Sequence, residues 1–551
     1  MASTNHGLRG SCGGGGGAKV VVVMVPFPAQ GHLNQLLQLS RLISSYNIPV
    51  HFVGTATHNR QARLRVHGWN PFSAANIHFH EFPTANSAAA AVPNPPAESR
   101  FPAHILSSYQ AASLLRDPVG KLLRSLAGNN SRVVVIHDSL MGSVVQDAAG
   151  IPNAESYIFH SVSAFTIFLF IWEKMGKPFA VDADLLRDLP ALDGCFSPEF
   201  ESFLKAQYDF LKSNSGRIYN TCRALEGPFL ELLSREEISG KKKQWALGPF
   251  NPVHVSNGGA SKTRHKCLAW LDNHTKNSVI FVSFGTTTSF SDEQIREIAT
   301  GLERSEQKFV WVLRDADKSD IFSKEHKKLE LPRGFEERVR KRGMVVRDWA
   351  PQLEVLAHSS TGGFLSHCGW NSCMESISMG VPMAAWPMHS DQPRNTVLIT
   401  KVLRIGIVVK DWARRDQIVT SSAVEHAVKR LMATEEGERM RQRAADFGCA
   451  MKKAVADGGV SRIELDGLRL FPASPPSHLR DSHDRRSTSP LRDKPPAAGY
   501  SPSSHIRGRP PAAGSSPSSH LHGSRSVMVP PQTPGRPPGR SVDGRRPEVE
   551  E

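Results

Sequence analysis

The stretch Lys19-Val-Val-Val-Val-Met-Val-Pro26 is continuously apolar and β-branched, the pattern of a strand covered on both faces of a parallel sheet. Between residues 31 and 43 the period lengthens. Leu36, Leu39 and Ile43 recur at three- and four-residue spacing, which predicts an amphipathic helix. Pro49-Val-His-Phe-Val53 predicts a second strand, completing a right-handed βαβ unit. Further strands are predicted at 132–136 and 217–220. After a Lys-, Gly-, Asn- and Ser-rich stretch over 239–266, the alternation restarts with a strand at 278–283, a helix at 292–304, and strands at 309–313, 344–347, 363–366 and 381–386. The economical reading is α/β with two tandem Rossmann-like, doubly wound domains facing across a cleft. Residues 1–18 are read as a flexible N-terminus, 19–245 as the first domain and 246–265 as a linker. The second domain is read over 266–450, and 451–471, with its helix over 451–468, as returning towards the first. Ligands of open α/β sheets bind beyond the carboxyl ends of the strands, so a cleft between two such sheets suits a two-substrate enzyme.

Composition changes this picture at one end. The chain of 551 residues carries a net charge of +15, of which residues 471–551, with 12 basic and 7 acidic side chains, hold +5. That end also has 16 of the 38 prolines and a near-repeat, Pro495-Pro-Ala-Ala-Gly-Tyr-Ser-Pro-Ser-Ser-His505 against Pro510-Pro-Ala-Ala-Gly-Ser-Ser-Pro-Ser-Ser-His520. Such a composition buries too little apolar surface to offset its ordering entropy, so 472–551 is expected to be a disordered tail. The rest is only mildly basic, and no nucleic-acid partner is expected. The apolar run Phe165-Thr-Ile-Phe-Leu-Phe-Ile-Trp172 is eight residues long, far below the roughly 20 of a spanning helix. It is expected to be core or pocket wall, with no membrane span. Seven cysteines without a Cys-x-x-Cys pair, and an N-terminus without a secretory apolar segment, lead to the expectation of reduced thiols and a cytoplasmic location.

The densest chemistry lies between Trp349 and Gln392. His367-Cys-Gly-Trp-Asn-Ser372 falls between an apolar strand and a helix, where free backbone N–H groups and the positive end of the helix dipole can accept a diphosphate. Trp349 can stack a planar base, Glu375 can accept from two ribose hydroxyls, and Asp391 and Gln392 can hold sugar hydroxyls. Singly these are weak signals. Their ordered combination over 44 residues resembles the signature of the plant UDP-sugar-dependent glycosyltransferases. The likeness runs from about Lys19 to Leu470. Val25-Pro-Phe-Pro-Ala-Gln-Gly-His-Leu-Asn-Gln35, His137-Asp-Ser-Leu-Met141, Tyr219-Asn-Thr-Cys-Arg223, Trp245-Ala-Leu-Gly-Pro-Phe-Asn-Pro252, Val282-Ser-Phe-Gly-Thr-Thr287 and Trp386-Pro-Met-His-Ser-Asp-Gln-Pro-Arg-Asn395 are similar to the zeatin O-glucosyltransferase branch.

The resemblance implies the GT-B fold, UDP-glucose as co-substrate, a zeatin-like small acceptor, no metal or other cofactor, and a monomer. It puts His32 in the place of the catalytic base and Asp138 in that of the acid that orients it. It also implies that Trp349 stacks on uracil, Gln352 and Glu375 bind ribose, and His367, Asn371 and Ser372 hold the diphosphate, with Ala350, Gly369 and Trp370 in the same donor site. Asp391 and Gln392 go with the sugar. Ser283, Gly285 and Thr286 are expected to add donor contacts. Phe27, Asn34, His160 and Phe165, with Phe168 and Trp172, are candidates for the acceptor pocket, and the Ala- and Pro-rich stretch 85–98 for a loop at its mouth. An alcohol does not ionise at neutral pH, so an imidazole must take its proton, and direct displacement on a UDP-α-sugar gives inversion. The alternatives are a phenolic or flavonoid acceptor, UDP-xylose as donor, and a nucleotide-sugar-binding protein without turnover. A metal-dependent transferase is a rival through Asp315-Ala-Asp317, a short motif that recurs as Asp182-Ala-Asp184.

Overall fold

The computed structural model describes residues 20–66, 68–83, 102–181, 187, 189–193, 195–255, 264–287, 290–314 and 330–468. Within them the alternation closes into two parallel sheets. The first holds β1 (Val20–Val25), β2 (Val50–Thr55), β3 (Ile77–Phe82), β4 (Arg132–Asp138), β5 (Ala154–His160), β6 (Gly216–Tyr219) and β7 (Lys243–Ala246), in the order β3-β2-β1-β4-β5-β6-β7. The second holds β8 (Val279–Ser283), β9 (Lys308–Val312), β10 (Gly343–Val346), β11 (Thr361–Ser366), β12 (Met383–Ala385) and β13 (Gly406–Val408), in the order β10-β9-β8-β11-β12-β13. Strand order reverses between β1 and β4 and again between β8 and β11, and these two switch points are where such sheets open to ligands.

The continuous apolar strands are the central ones. Val22 to Val25 and Val133 to Ile136 are removed from water on both faces, paired in register from Val20↔Arg132 to Val25↔His137. β3 and β7 lie at the sheet edge. Their mixed sequences, Ile-His-Phe-His-Glu-Phe and Lys-Gln-Trp-Ala, hide them from a search for apolar runs. β7 falls inside the composition shift at 239–266, so the connection between the sheets begins only after Ala246.

One apolar cluster runs from Phe165, Phe168 and Leu230 on the first side to Phe281, Trp370 and Met374 on the second. Both sheets therefore share one compact unit among the described residues. The helix expected over 451–468 is two. Glu435–Val455 ends before Asp457-Gly-Gly459, where Gly458 takes φ +75°, and Val460–Gly467 follows. That last helix lies on the first sheet: Leu465 and Leu468 enter its core, and Glu464 accepts from the backbone N–H of Ala246 at 2.7 Å and from Arg223. The tail after residue 468, the stretch 84–101, both Asp-x-Asp motifs and the N-terminal 19 residues lie outside the described residues.

Candidate active site

His32 stands in the first turn of the helix Gln30–Ser44, directly after β1, and Asp138 is the last residue of β4 across the switch point. The strand order thereby brings together two residues 106 positions apart: His32 Nδ1 lies 2.7 Å from Asp138 Oδ2. Asp138 is fully buried, and its other oxygen accepts from the backbone N–H of Leu140 at 2.9 Å, which fixes the carboxylate. A carboxylate on Nδ1 holds the imidazole in the tautomer whose Nε2 carries the lone pair. Ser161, which the sequence reading did not pick out, places its Oγ 3.0 Å from the same Nδ1. Gln35 holds that segment by donating to the Ser161 carbonyl at 2.8 Å. No local motif marks Ser161; its role arises from β5 lying beside β4.

The second sheet supplies the opposite wall. β11 ends at Ser366, a turn follows with Cys368 at φ +61°, and the helix Trp370–Met379 begins with Gly369 as its cap. Burial pushes the His367 imidazole down to about 4, so it is neutral. Two glycines enclose it: a Cβ at Gly285, where φ is +77°, or at Gly369 would come within 2.5 Å of His367 Nε2. Ser372 and Glu375 both accept from Gln352 Nε2, at 2.9 and 2.8 Å. Asn371 donates to the Gly31 carbonyl at 2.8 Å, joining this helix to the one that carries His32. Trp349 has the guanidinium carbons of Arg65 and Arg314 at 4.4 and 5.5 Å from its ring centre. Gln392 accepts from the backbone N–H of Met388 and His389, and Asp391 accepts from Asn395 at 2.6 Å. Burial raises the Asp391 carboxyl to about 6, against the pull of Asn395.

One cavity of about 1150 Å³ is lined by His32 and by Ser283, Gly285, Thr286, Trp349, Ala350, Gln352, His367, Gly369, Trp370, Asn371, Ser372, Glu375, Asp391 and Gln392. Phe27, Asn34 and His160 line it too, with the Phe27 ring 5.1 Å from that of His32. Phe165 does not, which corrects its place among the acceptor candidates. The run 165–172 lies in the helix Ala164–Lys174, whose period divides it. Phe165, Phe168, Leu169 and Trp172 face the core, Phe165 against Phe229 at 4.9 Å, while Ile167, Phe170, Ile171 and Lys174 line the cavity. An eight-residue apolar run gives no sign of which face a neighbouring sheet will cover.

Residues 18–252 match the family model described as Glycosyltransferase, N-terminal domain, and residues 206–441 match the one described as UDP-glucoronosyl and UDP-glucosyl transferase. The chain is 58% identical to zeatin O-glucosyltransferase of Phaseolus lunatus over 448 residues, which cover 81% of this chain and 95% of that protein. It is 55% identical to zeatin O-xylosyltransferase of Phaseolus vulgaris over 448 residues, covering 81% and 96% respectively. Its fold is similar to the structure of Phytolacca americana UGT2 complexed with UDP-2fluoro-glucose and pterostilbene, with a TM-score of 0.65, 25% identity, and 82% of this chain and 98% of that one covered.

Proposed function

The chain belongs to the UDP-glucosyl transferase family, and from that premise we propose that it transfers glucose from UDP-glucose to the side-chain hydroxyl of zeatin with inversion at the anomeric carbon. The observation that carries the reaction is the 2.7 Å bond between His32 and Asp138 on a cavity shared with the helix Trp370–Met379. His32 Nε2 takes the hydroxyl proton as that oxygen bonds to the anomeric carbon and the bond to UDP breaks. Asp138 stabilises the imidazolium, and the proton then passes to water. Charge growing on the departing diphosphate meets the N-terminal N–H groups of the helix Trp370–Met379 and the His367 imidazole. Protein groups suffice for every step, so turnover is expected to survive chelation; loss of activity restored by Mn²⁺ or Mg²⁺ would overturn this.

The acceptor comes from the relatives, since the two at 58% and 55% identity are named for zeatin. The second of them is named for xylose, which favours UDP-xylose as the next donor to try. A panel of zeatin, its saturated analogue and two phenols, each with UDP-glucose and UDP-xylose, reads the product masses. O-glucosylated zeatin is expected to dominate; products from the phenols alone would refute the acceptor. His32→Ala is expected to lower kcat by at least about 10³-fold while leaving UDP-glucose affinity within twofold. The described cysteines are free thiols, in keeping with the cytoplasm, and no helix among the described residues is long and apolar enough to cross a membrane.

A further inference from the structure

The cavity does not end beside His32. It continues between the first sheet and the helices Ala164–Lys174 and Pro198–Phe210, as far as Lys212 and Lys242. Ile158, Ile167, Ile171, Leu204 and Leu211 make the middle of this inner slot apolar, and its far end is charged, with Glu236, Glu237, Lys212 and Lys242. Two polar side chains interrupt it on one face of the sheet. Arg217 on β6 sits in register with Ile158, and His160, two residues further along β5, sits in register with Tyr219 and stacks on its ring at 5.1 Å.

Both ring nitrogens of His160, Nη1 of Arg217 and Oδ1 of Asn34 lie buried without a hydrogen-bond partner among the described residues. Buried polar atoms normally find partners. Four left over on the lining of one slot mark a place where something else supplies them. Burial first, and the Arg217 cation second, push the His160 imidazole well below its ordinary range. It is therefore neutral and offers one N–H and one lone pair. Arg217 donates from Nη2 to the Ile238 carbonyl at 3.5 Å and also reaches the Tyr219 hydroxyl, while its Nη1 has no partner among the described residues. A phenolic ring has polar atoms only as substituents. A purine carries donors and acceptors on the ring edge itself, which is the complement of this set.

We propose that Arg217 and His160 are the specificity-determining residues that read the purine ring of the acceptor, with Arg217 Nη1 donating to a ring nitrogen while the hydroxylated side chain extends to His32. This rests on the zeatin reading above and deepens it, because nothing else singles out Arg217.

The test uses the full chain and two readouts. One is KM and kcat for zeatin. The other is the inhibition constant of N6-isopentenyladenine, which has the purine but no hydroxyl and so reports ring binding without turnover. Arg217→Gln is expected to raise the KM for zeatin and the inhibition constant at least tenfold, with kcat and the KM for UDP-glucose within twofold. Arg217→Lys should recover part of the loss. His160→Phe keeps the stacking on Tyr219 and removes both nitrogens, so a similar loss is expected there, and it serves as the second variant if Arg217→Gln does not fold. Unchanged inhibition in both variants, or equal losses for purine and phenolic acceptors, overturns the proposal. Wild-type enzyme that ignores zeatin but still binds N6-isopentenyladenine through Arg217 would refute the acceptor reading and leave the ring site standing.

Discussion

Asp391 lines the cavity as a half-buried carboxylate, assigned above to the sugar of the donor, and removal from water pushes its carboxyl up to about 6. Only the ionised form accepts from two sugar hydroxyls at once, so donor affinity is full above neutrality and falls as the pH drops through 6. Between pH 7 and pH 5 the KM for UDP-glucose is expected to rise about tenfold. Asp391→Asn should raise the KM at pH 7 and flatten its pH dependence. A wild-type KM that stays flat from pH 7 to 5 would remove Asp391 from sugar recognition. Ser161 acts at the same scale but through another group. The Nδ1–H that faces Asp138 also reaches the Ser161 oxygen, so this hydroxyl is an acceptor there and positions His32 without touching its proton-accepting nitrogen.

The helix Ala164–Lys174 joins the two walls of the site. Ser163 caps it by accepting from the Thr166 N–H, and the hydroxyls of Ser163 and Thr166 both donate to Asn395 Oδ1, at 2.9 and 3.1 Å. Asn395 in turn donates to the Cys368 carbonyl in the turn that carries His367. Beneath the helix start, Glu226 accepts from the N–H groups of Ala164 and Phe165, and its complete burial pushes the carboxyl from 4.5 up to about 7. Between those two values the folded chain holds a proton that the unfolded chain has released. Stability therefore declines as the pH rises from 4.5 to 7, and the contribution is full only on the acid side. That shift corresponds to about 3 kcal/mol. Glu226→Gln is expected to flatten the urea-unfolding stability between pH 5 and 7.5 by a comparable amount. An unaltered pH slope would show that Glu226 is not the titrating group.

The molecule as a whole is held by contacts between segments remote in sequence. Arg394, fully buried, pairs with Glu173 across the two walls, and Trp370 donates to the Asn220 carbonyl at 3.0 Å. The last described helix returns Leu465 and Leu468 to the first core. A chain ended at residue 471 is therefore expected to keep the melting temperature and the turnover of the full chain. One ended at residue 459 should lose at least about 3 kcal/mol through the two leucines alone. A turnover defect in the 471-residue chain would assign a role to the Pro-rich tail.

Much of this protein is written locally. Strand and helix periods, the small-polar turn before the helix Trp370–Met379, and the types and spacing of the donor-site residues are properties of short stretches, because backbone pairing and helix dipoles depend on near neighbours. His32 and Asp138 stand out only through the family resemblance of the two short stretches that carry them, 25–35 and 137–141. Their meeting was implied by that resemblance alone, since nothing in either stretch points to the other: the 2.7 Å bond over 106 positions exists only once the strand order has placed β1 beside β4. Long-range packing likewise turned Phe165 into the core, drew Ser161 onto the imidazole, broke the final helix at Gly458 and Gly459, and opened a slot as deep as Arg217. Which face of an element is covered depends on what the rest of the chain lays against it, and that information is carried by no single segment.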